Sequence, residues 1–248
     1  AIRACSPQPA QVGFAPTMGA KVPATQSPAD IEAARQVYFR LQSDSIWGLS
    51  LWNDPVFLGK YPDEAPSVYG RNWPEIRAED LELIAQPLDF VGYNCYTGDV
   101  IRAGADGRPE TLPYPPGNPR GSLDWLQMLP DALYWSVRFQ VERYGRKPFV
   151  ITENGLANLD WVALDGKVRD PQRIDYMHRY LRGLKRAAEE GFPVGGYFYW
   201  SFLDNFEWAE GYQPRFGLVH VDFETQARTL KESAAWYCEV IRTNGADL

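Results

Sequence analysis

Four short apolar runs, each followed by a polar or glycine-bearing loop and then by a helical pattern, set the tightest limit on how this chain folds. They are Gln11 to Ala15, Leu88 to Tyr96, Pro148 to Glu153 and Gly195 to Ser201. None alternates cleanly between apolar and polar positions, so they read as strands covered on both faces, as in a parallel sheet flanked by helices. The helices between them carry their own signals. Ser27-Pro28-Ala29-Asp30 offers an N-cap, a Pro at the first helical position and an acid three residues on, and Ile31, Ala34, Tyr38 and Leu41 then share a face. A second helix is expected over 131–144. In the third, Asp170 is expected to cap, Pro171 to start, Ile174, Met177, Leu181, Leu184 and Ala188 to form the apolar stripe, and Gly191 to stop it. The last is expected over 230–243.

Strand and helix in alternation define a parallel α/β structure. Eight such units close a barrel, and 248 residues is the usual length of a complete one, yet this sequence supplies only four units. The stretches Val56 to Asn72 and Ala103 to Gly121, dense in Pro and Gly, take up the remaining length and read as irregular loops that shape a cleft.

A net charge of -7, with no basic run, argues against nucleic acid or an anionic membrane surface as partner. No apolar stretch approaches the roughly 20 residues of a membrane span. Cys5, Cys95 and Cys238 are widely spaced and odd in number, which points to reduced thiols in a cytoplasmic protein rather than to a disulfide framework or a zinc knuckle. The opening residues, Ala1-Ile2-Arg3-Ala4-Cys5, have no leader pattern and read as a chain entered partway through. His178 and His220 lack neighbours at metal-ligand spacing and read as structural; neither a metal nor a cofactor is expected. Nine Trp and fourteen Tyr supply flat amphipathic rings, which fill cores and also stack on sugar faces.

Glu153 ends the run Ile151-Thr152-Glu153-Asn154-Gly155 at the C-terminal tip of a parallel strand, the end at which α/β barrels carry their catalytic groups. The fourth run continues as Tyr199-Trp200-Ser201-Phe202-Leu203-Asp204-Asn205-Phe206-Glu207-Trp208, and Gly211 to Leu218 reads G-Y-x-x-R-F-G-L. In this order, with Arg228, Lys231, Ser233 and Trp236-Tyr237 near the end, these segments resemble the family 1 glycoside hydrolases, the β-glucosidase and β-galactosidase group. The resemblance extends over nearly the whole chain. Gln11 to Ala15 resembles that family's fifth strand, Asn53-Asp54-Pro55 with Gly59-Lys60-Tyr61-Pro62 its characteristic loop, and Asp89 to Thr97 its sixth strand. It implies that residues 1–248 form the C-terminal half of a single (β/α)8 TIM barrel, strands 5 to 8 with their helices.

The same resemblance implies roles. Glu153 is expected to be the nucleophile of a retaining exo-β-glycosidase, with Tyr96 orienting it and keeping it ionised. Glu207 is expected to accept hydrogen bonds from hydroxyls at the far end of the nonreducing sugar, where a charged acceptor bonds about twice as strongly as a neutral one. Asn94, Trp200, Trp208 and Phe216 are expected to bind the same sugar. Trp125 is expected to floor the leaving-group side, although its surroundings depart in spacing from the family's pattern.

Retaining hydrolysis needs a second carboxylate, about 5 to 5.5 Å from the first, to protonate the departing oxygen and then activate water. In the family it belongs to an N-E-P motif that this sequence lacks; Asn53-Asp54-Pro55 is a different landmark. A complementary N-terminal half-barrel chain is therefore expected as a partner, beside a β-glucoside or related small saccharide. The alternative reading is a non-catalytic carbohydrate-binding or inert half-barrel fragment.

Overall fold

The computed structural model describes all residues 1–248. In chain order its elements are α1 (Ile2–Cys5), β1 (Gly13–Phe14), β2 (Ala20–Pro23), α2 (Pro28–Phe39), α3 (Leu49–Leu58), α4 (Ala65–Tyr69), α5 (Ala78–Ile84), β3 (Phe90–Asn94), β4 (Gly98–Ala103), β5 (Pro109–Leu112), α6 (Ala132–Tyr144), β6 (Phe149–Asn154), α7 (Pro171–Glu189), β7 (Val194–Tyr199), β8 (Val219–Val221), β9 (Arg228–Leu230) and α8 (Glu232–Arg242). The four expected strands form one parallel sheet in the order β1-β3-β6-β7. Gly13 pairs with Phe90, Val91 with Phe149 and Val150 with Gly196. Helices occupy every crossover, as parallel pairing requires. Half of an α/β barrel is the result, with β1 and β7 as its two edges.

Cover on both faces holds for β3, whose Val91, Gly92 and Tyr93 are buried, but not for β7. Side chains alternate across a strand. Tyr197 and Tyr199 pack on Tyr237 of α8, which turns Phe198 to the opposite face, where it is 62% exposed.

Two sequence expectations about the loops are corrected. The stretch 56–72 holds the end of α3, all of α4 and a 3-10 turn, and 103–121 holds β5. Proline density misled because Pro66 sits in the first turn of α4, where proline is tolerated, and just before the stretch Pro55 sits inside α3, a position that normally breaks a helix. Beyond the main sheet, β4 pairs in parallel with β2 and antiparallel with β5, making a second sheet, and β8 and β9 form a hairpin.

The expected helices all form. Ser27 caps α2 by accepting a bond from the Asp30 amide, and Ala34 and Tyr38 are buried, while Leu41 is buried beyond the helix end. In α7, Met177, Leu181 and Leu184 are buried, but Ala188 is exposed and Ala187 takes its place in the core. Asp170 occupies the N-cap position of α7, but its side chain makes no capping bond. Its carboxylate accepts instead from the Ser233 amide at 2.9 Å and hydroxyl at 2.6 Å, and from Arg173 at 3.1 Å, because an anion this deeply buried must first satisfy a cation. Helix α6 lies against α7, β2 and β6 and buries Leu133, Trp135, Val137 and Phe139, forming the centre of the core. No helix is long and apolar enough to cross a membrane.

Candidate functional site

The register of the main sheet brings the C-terminal tips of β3, β6 and β7 to one end. Asn94, the last residue of β3, pairs with Glu153 on β6, and Asn154 pairs with Tyr199, the last residue of β7. Irregularities in register at Tyr93/Asn94 and between Ile151 and Asn154 bend the strands at this point, a device that re-aims side chains. A cleft of about 710 Å³ opens there. All eight residues anticipated from the sequence line it: Asn94, Tyr96, Trp125, Glu153, Trp200, Glu207, Trp208 and Phe216.

At its base the Tyr96 hydroxyl donates to Glu153 Oε2 at 2.7 Å. Burial, followed by the charge of Glu153, raises the Tyr96 pKa well above the phenolic range, so the hydroxyl remains a donor. The Tyr96 ring is held edge-on by Trp125 at 5.9 Å and Phe216 at 6.0 Å between ring centres. Thr152 donates to Asn94 Oδ1 at 2.6 Å, leaving the Asn94 amide nitrogen for other partners.

Glu207 and Trp208 come from the long loop after β7, which is folded back and pinned at several points. The Ser201 amide donates to Phe216 O at 3.3 Å, the Leu218 amide to Ser201 O at 2.9 Å, and the Glu207 amide to Gly211 O at 2.7 Å. Gly211 takes a positive φ of 65° in this turn. The peptide between Trp200 and Ser201 is cis. Burial raises the Glu207 pKa, the neighbouring Trp200 indole lowers it, and Glu153 raises it through charge. Trp208 stands 79% exposed at the mouth of the cleft.

Underneath the loop is a buried cluster that sequence reasoning did not identify as part of the site. Asp204 Oδ1 accepts from Lys231 at 2.8 Å and from the Gly217 amide at 2.9 Å, while Oδ2 accepts from Arg215 at 2.8 Å. Asp160 Oδ2 accepts from Lys231 and from Arg173, each at 2.6 Å. Asp204 was in plain view within the run from Tyr199 to Trp208, but nothing local in that run says which of its acids faces inward. Thr17, Met18, Gly19, Trp47 and Thr97 also line the cleft. Of these, Thr17 to Gly19 follow the first strand as Tyr96 follows the second, a positional signal that was available; Trp47, 67% exposed, gave none.

His178 lies 6.1 Å from the Trp236 ring, and His220 is buried on β8. No group of three or more His, Cys, Asp or Glu is placed to hold a metal ion. Cys95 is buried, and Cys5 and Cys238 are exposed free thiols.

Fold and site together define a half barrel of the α/β type, with a carboxylate-bearing, tryptophan-rich cleft at its strand tips. The sequence profile of Glycosyl hydrolase family 1 matches residues 2–246. A 1,4-beta-D-glucan glucohydrolase of Thermotoga neapolitana is 38% identical over 236 residues, covering 95% of this chain and 51% of that protein. Beta-glucosidase A of Acetivibrio thermocellus is 38% identical over 244 residues, covering 95% and 52%. The solved Thermotoga maritima beta-glucosidase in complex with glucoimidazole superposes with a TM-score of 0.80 at 35% identity, covering 96% of this chain and 52% of that one. The chain belongs to Glycosyl hydrolase family 1. It spans about half the length of the relatives it matches.

Proposed function

We propose that this chain is the nucleophile-bearing C-terminal half of a retaining exo-β-glycosidase of β-glucosidase type, which removes terminal nonreducing β-D-glycosyl residues by double displacement. In the first step a Glu153 oxygen attacks C1 of the sugar while the bond from C1 to the leaving oxygen breaks. A carboxylic acid of the complementary N-terminal half gives that oxygen its proton. In the second step the same group, now a carboxylate, takes a proton from water, whose oxygen attacks C1 and frees Glu153, so the β-configuration is retained. Tyr96 orients the nucleophile. Glu207, Trp200 and Trp208 hold the sugar, with Asn94 and Phe216 beside them and Trp125 toward the leaving group.

The observation that carries this reading is the 2.7 Å bond from Tyr96 to Glu153 within the cleft. Asp54, the acid of the Asn-Asp-Pro run, does not qualify as the second carboxylate: it is buried and bonded to Arg143 at 3.0 and 2.5 Å and to Tyr144 at 2.8 Å. The unpaired outer edges of β1 and β7 support a complementary half-barrel chain as the partner that closes the sheet.

A 2-deoxy-2-fluoro-β-glucosyl fluoride tests the reading, since fluoride departs without acid help. The chain combined with its complementary half is expected to gain one fluorosugar on the peptide containing Glu153, and Glu153→Gln is expected to gain none and to abolish turnover. Label on another residue, or turnover retained by Glu153→Gln, sinks the assignment.

A further inference from the structure

The carbonyls of Cys95 and Tyr96 lie just past the end of β3, so the strand ladder no longer supplies them with donors. Buried carbonyls of this kind need partners from elsewhere. Side chains from β6 and α7 provide them. Asn154 Nδ2 donates to Cys95 O at 2.7 Å and to the Tyr176 hydroxyl at 2.9 Å. Tyr176 and Tyr180 then both donate to Tyr96 O, at 2.8 and 2.9 Å. They are four residues apart on one face of α7, with their rings stacked at 4.0 Å.

The direction of these bonds is fixed by what lies behind them. Tyr180 accepts from the Leu129 amide at 2.8 Å, and Tyr197 donates to Asn154 Oδ1 at 2.9 Å, which commits the Asn154 nitrogen to donation. Each of the two phenols on α7 thus has an N–H group occupying it as an acceptor, and its single proton goes to Tyr96 O. That carbonyl, with two lone pairs, takes both.

We infer that Tyr176 and Tyr180 are positioning residues for glycosyl transfer: they clamp the main chain of Tyr96 so that its hydroxyl stays on Glu153 Oε2. The inference rests on the reading of Glu153 as nucleophile. Neither phenol touches the sugar cleft, and both act through Tyr96. Removing one leaves the partly buried Tyr96 carbonyl with one donor instead of two, and the ring that aims Glu153 gains freedom at its root.

The test uses the chain combined with its complementary half and follows labelling by 2-deoxy-2-fluoro-β-glucosyl fluoride, in which a Glu153 oxygen bonds C1 and fluoride leaves with the bonding pair. Each variant is read at a temperature where circular dichroism shows it fully folded. Tyr176→Phe and Tyr180→Phe keep their rings. Each is expected to lower the maximal labelling rate about 3- to 10-fold, and the double variant about 30- to 100-fold, with the half-saturating donor concentration unchanged, because small misplacements of a reacting group act on rate rather than binding. Tyr134→Phe, which deletes a partly buried hydroxyl bonded to Glu190, is the control and is expected to label at the wild-type rate. In a Tyr96→Phe background, the α7 substitutions are expected to add nothing, since the hydroxyl they aim is gone.

Wild-type labelling rates in the Phe variants, equal slowing by Tyr134→Phe, or losses that simply multiply in the Tyr96→Phe background would overturn the inference. A wild-type protein that takes no label on Glu153 overturns the functional reading itself, and the inference with it.

Discussion

Lys231 bonds Asp204 at 2.8 Å with neither side chain exposed to solvent, and the same ammonium bonds Asp160 at 2.6 Å. Asp160 is shared with Arg173, and Arg173 also pairs with Asp170. The network ties the start of α7 and the residue before α8 to the loop that carries Glu207. Burial pulls the Lys231 pKa down, Arg173 does the same, and the two carboxylates pull it back.

Lys231→Met removes a cation that two buried carboxylates share, leaving Asp204 only Arg215 and Asp160 only Arg173 as partner cations. Breaking a buried ion pair from one side costs about 3 to 5 kcal/mol. Because each carboxylate keeps an arginine, urea unfolding is expected to show a loss toward the lower end of that range, and a change below about 1 kcal/mol would contradict the account of the cluster.

His220 adds a pH dependence. Burial lowers its pKa below the ordinary 6.5, and the Arg215 cation lowers it further. The unfolded chain therefore binds a proton more readily than the folded one. The stability from neutral His220 is fully present above pH 6.5 and is lost as pH falls through that value toward the folded pKa. Melting curves between about pH 7.5 and 5.5 are expected to fall more steeply for the wild type than for His220→Gln. Parallel curves would show that His220 is not the group responsible.

Glu207 has the opposite sign. Its pKa is raised above 4.5 by burial, so any stability it contributes is present below 4.5, while it is protonated, and is lost as pH rises through the folded value. At neutral pH its charge is a burden that the neighbouring Trp200 indole only partly relieves. Glu207→Gln is expected to melt higher than the wild type at pH 7, with the gap closing toward pH 4, while weakening sugar binding. A lower melting point at pH 7 would refute the desolvation argument.

Gly155, just past β6, packs against the main chain of Trp200, just past β7. A Cβ at this position would lie 1.9 Å from Trp200 O and 3.0 Å from Trp200 C, both main-chain atoms. Gly155→Ala must push the strand tips apart, at a cost of about 1 to 3 kcal/mol. It is expected to slow fluorosugar labelling of Glu153 because Trp200 moves with the displaced backbone; unchanged labelling with a lower melting point would separate the strain from the site.

Local signals gave the half-barrel its plan. Strand and helix periodicity, the Ser27 cap and the glycine stop at Gly191 act within a few residues, and the motifs around Glu153 and Glu207 were readable for the same reason. Where local rules conflict with packing they failed: Pro55 sits within α3, and Asp170, though at the N-cap position, turns its carboxylate to Ser233 and Arg173 instead of to the free amides of its own helix. What only the tertiary structure decided is how distant residues support the site. Tyr176 and Tyr180 reach the Tyr96 carbonyl from 80 and 84 positions away, Lys231 reaches Asp160 from 71, and Trp47 joins the cleft from a loop with no pattern. Partners that far apart leave no periodicity in the sequence, because the need they meet, a buried carbonyl or carboxylate without a donor, exists only once the chain has folded.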